Sequence, residues 1–289
     1  MPSATYETTL IDRIAPTLRP PKRCVMRQDW HHLLFVHWSV APEQIRSLLP
    51  PGLELDLYNG KAYVGLIPFT LTALRPVWLP PFPPLSNFHE INLRTYVHTA
   101  GRDPGIWFFS LDAANAVAVR VARACFKLPY HYARMNLTMK QPDKKIKSEG
   151  RMHGQEGVFG QVTLGVSGSA VHSSESPPLV VDYASERLWP RPTPAACVLR
   201  YAPKGLAAPA AVGTREHFLV ERYILYSYTG RRLYRGRIHH APYPLQSAEV
   251  YSLDETLLAA AGITPEDETP LIHYAKGVRV QFFLPERVE

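Results

Sequence analysis

The sequence predicts an α+β protein that is mostly β, a single compact domain of many strands with a few short helices. Three observations carry this. Proline makes up 28 of 289 residues; each proline removes a helical hydrogen bond and clashes with the preceding turn, which excludes a long-helix bundle or a coiled coil. Short alternating or continuously apolar runs recur from Leu33 onward, punctuated by Gly, Pro and Asn turn signals. At 46% hydrophobic and 20% charged, the chain has the material for a real core and is not a disordered polymer.

Residues 1–28 are polar and irregular and end in Pro20-Pro21-Lys22-Arg23; they are expected to form an arm that adds little to the core, with 29–289 as the domain. Ala41–Leu49 predicts a short helix, with Pro42 in its first turn and Pro50-Pro51-Gly52 as the stop. Leu53, Leu55 and Leu57 alternate with Glu54, Asp56 and Tyr58 before Asn59-Gly60, the strongest short-range hairpin signal, and Lys61–Leu71 resumes an extended pattern. The leucines are expected inside, Glu54 and Asp56 outside. Residues 76–88 hold five prolines in thirteen positions and predict a stiff loop with exposed aromatics, either a plain connector or a lid or docking loop.

Glu90–Val97 alternates strictly, with Ile91, Leu93, Thr95 and Val97 on one face and Glu90, Asn92, Arg94 and Tyr96 on the other. Ile106–Leu111 is apolar on both faces, hence a buried strand. Asp112 then reads as the N-cap of an Ala-rich helix over 113–126, with Arg120 and Arg123 on one edge, ended by Pro129. Tyr130–Lys140 is extended, followed by a charged turn at 142–147 and a Gly-rich β stretch near 158–166. Residues 190–213 are expected to form a long Pro/Ala-rich excursion. Phe218–Tyr228 and Leu233–His240 form a second hairpin around Thr229-Gly230. Asp254–Ala261 is a short helix stopped by Gly262, and Pro270–Leu284 supplies one or two closing strands.

Composition narrows the function classes. Lys plus Arg exceed Asp plus Glu by 32 − 25 = 7, which permits anionic partners without demanding them. The three cysteines, Cys24, Cys125 and Cys197, are too few and too far apart for a disulfide scaffold, and the expected compartment is the cytoplasm. No apolar stretch of about 18–20 residues suits a membrane span, and no secretory signal is visible. The glycine-rich nucleotide motifs, HExxH and GxSxG are missing. His31-His32 and His239-His240 are adjacent pairs whose members point to opposite faces of a strand, so one of each could face a cavity, yet neither pair makes a metal motif.

The polar row on the 90–96 strand has two readings. On a solvent face it is merely hydrated; inside a curled sheet its carboxyl, guanidinium and phenol must pair with each other or with a ligand. The doubly apolar strand that follows favours a central position and therefore the interior. Arg231, Arg235, Arg237 and His239 likewise share a face, either an anion or nucleic-acid site or, preferably, a charge-guarded edge strand.

Longer stretches resemble a known family. His37-Trp38, Leu49-Pro50-Pro51-Gly52-Leu53, Val64–Phe69, the run from Phe88 to Val97, Phe108–Ala113, Leu128-Pro129-Tyr130, Glu221-Arg222-Tyr223 and His239–Pro242 follow, in order over roughly 30–285, the pattern of the uncharacterised YqjF-like or DUF2071 proteins. That family is more distantly similar to acetoacetate decarboxylase-like proteins, which implies a mostly β fold, a cone-shaped antiparallel barrel or curled sheets around a buried cavity. On that likeness Glu90 takes the place of the pocket glutamate. The Schiff-base lysine position after Pro129 is Tyr130, and its lysine neighbour is His131. A phenol cannot condense with a ketone, and Lys127 precedes the proline. The resemblance thus implies the cavity and argues against imine decarboxylation.

The sequence therefore points to a cytoplasmic protein with an enclosed polar pocket for a small organic molecule such as a carboxylate. Any catalysis is expected from Glu90 or His131 as general acid/base, with Tyr130 donating to a developing oxyanion. Asn92, Arg94, Tyr96, Arg120, Tyr223 and His239 are the candidate ligand-binding residues. No cofactor and no metal are expected, nucleic acid and membranes are disfavoured as partners, and a homo-oligomer is left open. The alternative is a non-catalytic interaction protein that binds a protein or nucleic acid through the 76–88 loop and the basic strand.

Overall fold

The structure, a computed structural model, describes residues 11–125, 128–140, 179–190 and 194–288. The expected turn at 142–147, the Gly-rich stretch near 158–166 and Lys127 lie outside the described residues. Among the described residues thirteen strands are seen: β1 (Cys24–Val40), β2 (Glu54–Leu55), β3 (Ala62–Pro76), β4 (Phe88–Thr99), β5 (Arg102–Ala113), β6 (Tyr130–Lys140), β7 (Val180–Trp189), β8 (Ala196–Ala208), β9 (Ile224–Thr229), β10 (Arg232–His239), β11 (Leu245–Glu255), β12 (Leu271–Phe283) and β13 (Glu286–Arg287). Short α-helices join them: α1 (Pro42–Arg46), α2 (Pro83–Ser86), α3 (Ala116–Cys125), α4 (Arg215–Val220) and α5 (Leu257–Ala260).

All the strands belong to one curled sheet in the order β13-β10-β9-β5-β6-β7-β8-β11-β12-β1-β3-β4-β2, and β5 also pairs with β4 and β10 with β12. The pairing is antiparallel except for β5 with β6 and β5 with β9, which are parallel. This curl explains why β1, β3 and β4 are buried on both faces. Leu33 and Phe35 of β1 join Tyr63, Ile67, Phe69, Tyr96, Leu111, Phe218 and Leu219 on one side. Leu34, Val36 and Trp38 join Val64, Leu66, Ile91, Leu93, Tyr183, Leu199 and Tyr274 on the other. Fully burying one such aliphatic side chain is worth about 1.5–3 kcal/mol, so two cores back to back hold the central strands firmly.

Several local expectations hold. Asn59 and Gly60 turn with φ of 50° and 78°, and Tyr58 and Lys61 exchange both backbone hydrogen bonds at 3.0 and 3.1 Å. Trp78 and Phe82 on the Pro-rich loop are exposed.

Others are corrected. β1 begins at Cys24 and so takes in the last residues assigned to the arm. Asp56 is buried, not exposed: the segment leaves the strand after Leu55, and its N–H bonds to Tyr96 O at 3.0 Å. Asp112 stays in β5, and Asn115 caps α3, its Oδ1 accepting from the N–H of Val117 at 3.1 Å and of Ala118 at 3.0 Å. The supposed excursion contains β8. Phe218–Val220 are helical rather than extended, because Thr214 caps α4 and the apolar side chains are buried against Tyr58 and Tyr96. The second hairpin starts at Ile224 and turns at Gly230 and Arg231.

Candidate functional site

The polar row of β4 is interior. Across β3 the register sets Phe69 against Glu90, Ile67 against Asn92 and Gly65 against Arg94. Across β5 it sets Ala113 against Glu90 and Leu111 against Asn92, and Leu111 in turn faces Tyr130 of β6. Paired residues share a face, so Glu90, Asn92, Arg94, Tyr96 and Tyr130 look the same way, with α4 over the Arg94–Tyr96 end. Glu90 is 3% exposed, Arg94 6% and Tyr96 0%.

At one end of the row the Tyr130 hydroxyl donates to Glu90 Oε1 at 3.2 Å. Burial pushes the Glu90 carboxyl up to about 8; hydrogen bonds from Tyr130 and Asn92 pull it down, and nearby Asp112 pushes it up again. Glu90 is thus mostly protonated at neutral pH and can itself donate. Burial, with Glu90 alongside, drives the Tyr130 phenol well above its ordinary range, so it keeps its proton.

At the other end, the last carbonyls of a helix lack intrahelical partners, and α4 aims them at β4. Leu219 O accepts from Arg94 Nη2 at 3.1 Å and from the Tyr96 hydroxyl at 2.7 Å. His37 Nε2 lies 2.6 Å from that hydroxyl; since the hydroxyl donates to Leu219 O, Nε2 carries the hydrogen and Nδ1 is bare. The His37 ring lies over Gly65, where a Cβ would sit 2.9 Å from two of its ring atoms. Burial, then Arg94 and His273, hold His37 well below its usual range, hence neutral.

His240 stacks on Tyr223 with centroids 4.4 Å apart and lies 4.6 Å from Tyr243, which in turn packs 5.2 Å from Phe35. Its Nδ1 is 2.8 Å from Ala241 O, which places the hydrogen there and leaves Nε2 bare. Burial holds this imidazole down at about 4, with the Ala241 hydrogen bond opposing. Beneath it, Glu221 accepts from the Tyr223 hydroxyl at 2.5 Å and the Tyr243 N–H at 2.9 Å, and burial raises its pKa. Among the described residues, buried polar atoms around this face that have no partner include Asn92 Oδ1, Arg94 Nε, His37 Nδ1, His240 Nε2 and Arg222 Nη2. Leaving such groups unpaired costs about 1–3 kcal/mol each.

Outside the row, Asp56 is the anchor under α4. It pairs with buried Arg222 at 2.6 Å and with Arg13 of the arm, and both guanidiniums lie against the Phe218 ring.

The remaining candidate residues are scattered. His131 alternates to the opposite face of β6 and does not meet Glu90; there Asp112 holds Arg187 through two 2.9 Å bonds, and burial, then Arg187 and Arg123, hold His131 at about 4. Arg120 is exposed on α3, while Arg123 turns back to bond Tyr130 O at 2.6 Å. Tyr223 is buried but occupied by Glu221, and His239 sits opposite Gln281 on β12; of the His239-His240 pair it is His240 that faces the row. The basic strand is not a free edge: β10 pairs with β9, β12 and β13, and Arg235 and Arg237 share Asp103 and Glu286.

Asp56, Arg222, His37, His240 and the cover formed by α4 were not foreseen as site parts, although His37, Arg222 and His240 lie within the stretches that carry the family resemblance. Among the described residues no three His, Cys, Asp or Glu side chains converge as a metal would need. Two surface cavities, of about 480 Å³ beside Leu49–Leu55 and about 380 Å³ beside Asp29, His31, Pro244, Lys276 and Arg279, include neither Glu90 nor Tyr130 in their walls. No helix among the described residues is long and apolar enough to cross a membrane.

Comparison with known proteins adds three findings. The family model DUF2071, described as an uncharacterized conserved protein, matches residues 27–279. The uncharacterized protein YqjF of Bacillus subtilis (strain 168) is 39% identical over 259 residues, 90% of either chain. Among solved structures, the enduracididine biosynthesis enzyme MppR complexed with pyruvate has a TM-score of 0.54 at 13% identity, over 94% of this chain and 92% of that one. Acetoacetate decarboxylase from Legionella pneumophila subsp. pneumophila str. Philadelphia 1 also reaches 0.54, at 10% identity over 94% and 90%. An acetoacetate decarboxylase-like enzyme from Sphingomonas wittichii RW1 reaches 0.52, at 12% over 92% and 94%. At such identities the likeness is one of fold.

Proposed function

The chain belongs to the DUF2071 family, and on that premise we propose that it binds a small organic carboxylate against the interior face of β4, beneath α4, in the cytoplasm. The observation that carries this is Arg94. A buried guanidinium without a counter-charge is costly, yet Arg94 is 6% exposed, makes no ion pair among the described residues and leaves Nε without a partner. Its contact with Leu219 O uses one N–H of the five a guanidinium carries. A carboxylate is the anion whose geometry matches that fork.

Asn92 and then the Glu90–Tyr130 pair continue the row. If the bound molecule reacts, Glu90 is the proton donor or acceptor and Tyr130 donates to a developing oxyanion; His131, on the other face, is not needed for either role. An MppR structure with pyruvate bound supports a small carboxylate as the ligand class on this fold. An imine is not part of the mechanism, since Tyr130 offers no amine. The interaction-protein alternative keeps the exposed Trp78, Leu79 and Phe82 but loses its basic strand to Asp103 and Glu286.

The test is native mass spectrometry of the purified protein, wild type and Arg94→Gln, with release and identification of any retained acid. A small acid held by wild type and missing from the variant supports the reading, and equal retention by both overturns it. Borohydride treatment with acetoacetate should leave the protein mass unchanged; one stoichiometric adduct on a lysine would contradict the imine-free chemistry.

A further inference from the structure

The imidazoles beside Arg94 say more about the ligand than the guanidinium does. The tautomers of His37 and His240 are fixed by outside partners, Nε2 of the first by the Tyr96 hydroxyl and Nδ1 of the second by Ala241 O. Each therefore presents a bare, buried nitrogen lone pair with no donor among the described residues, as does Asn92 Oδ1. Both rings belong to the group around Arg94. His37 stacks on Phe35 with centroids 6.3 Å apart, the Arg94 guanidinium lies 5.8 Å from the Phe35 ring, and Tyr243 links Phe35 to His240. The surroundings of Arg94 thus include three acceptors that lack a donor among the described residues.

A keto acid carries acceptors only. It would satisfy Arg94 and set a carbonyl oxygen against bare lone pairs, whereas an α-hydroxy acid brings the missing O–H. An α-amino acid brings N–H donors too, but its ammonium would enter a region where buried Arg94 and Arg222, with Arg13 beside them, face the single charge of Asp56. Glu221 and Glu90, both with carboxyl pKa raised by burial, do little to offset this.

Resting on the carboxylate reading above, we propose that the ligand of this site is an α-hydroxy acid, and that one of the two imidazoles, His37 or His240, accepts its single hydroxyl hydrogen and so disfavours the keto acid of the same size. Calorimetric titration of lactate, pyruvate and alanine tests this, because the three differ only in the group beside the carboxylate. One enantiomer of lactate should bind about tenfold more tightly than pyruvate, as is common where a buried polar group is otherwise left unpaired, and alanine should bind more weakly than lactate. Of His37→Phe and His240→Phe, which keep the stacking, the one that removes the accepting nitrogen should lower the affinity for lactate while leaving that for pyruvate within about threefold. Pyruvate or alanine binding as tightly as lactate, or a lactate preference untouched in both variants, would overturn the inference while sparing the carboxylate reading. Failure of all three acids to bind would overturn both.

Discussion

Replacing Glu90 by Gln keeps the shape of the side chain and removes its titration. The folded protein holds the Glu90 proton up to about pH 8, against 4.5 for the unreacted group. The fold therefore binds that proton more tightly than the unfolded chain does, so the stabilisation is complete below about pH 4.5 and is lost as pH rises towards 8. The span of 8 − 4.5 = 3.5 units, at about 1.36 kcal/mol per unit, is about 5 kcal/mol in all. Of this, roughly 3 kcal/mol is gone by pH 7, and about 4 kcal/mol is lost between pH 5 and pH 9. Glu90→Gln has no such loss. Its urea unfolding free energy relative to wild type should climb by about 4 kcal/mol over that interval, about 10 °C in melting temperature. Any constant offset from the amide facing Tyr130 leaves the slope untouched. Parallel pH–stability curves for the two proteins would refute a buried, protonated Glu90.

Three further outcomes follow from the same contacts. Asp56→Ala leaves Arg222 buried without its counter-charge and should cost about 3–5 kcal/mol in chemical denaturation, since breaking one side of a buried pair strands the other. Deleting residues 1–20 removes Arg13 but spares the Arg222–Asp56 pair, so a fall of only a few degrees in melting temperature is expected; a loss like that of Asp56→Ala would show that Arg13 is the principal partner. Gly65→Ala puts a methyl 2.9 Å from the His37 ring, should cost about 1–3 kcal/mol, and should perturb the His37 and Tyr96 side-chain resonances by NMR; unchanged resonances would contradict the packing of His37 over Gly65.

The row on β4 was legible because its alternation survives in a strand of unlike residue types. That both its faces are buried was only the favoured of two readings, because the choice depends on β4 pairing with β5 and on β1 pairing with β12 across some 240 positions of chain. Asp112 shows the same limit: local sequence reads it as the cap, but Arg187, 75 residues on, takes it, and Asn115 caps α3 instead. In α4, β-branched and aromatic residues read as a strand, yet the Thr214 cap and the burial of Phe218, Leu219 and Val220 make a helix, so tertiary packing outweighs weak propensity. His37 and His240 carry no periodic signal; their role comes from which neighbour holds their hydrogen.

Binding at Arg94 is the central claim, and the most direct measurement is a calorimetric titration of small hydroxy and keto acids into wild type, Arg94→Gln and Arg235→Gln. Arg235 is the control because its guanidinium is engaged at the surface by Asp103 and Glu286. Saturable binding that is lost in Arg94→Gln and unchanged in Arg235→Gln is the predicted result; binding that survives in Arg94→Gln, or that disappears with Arg235, would contradict it.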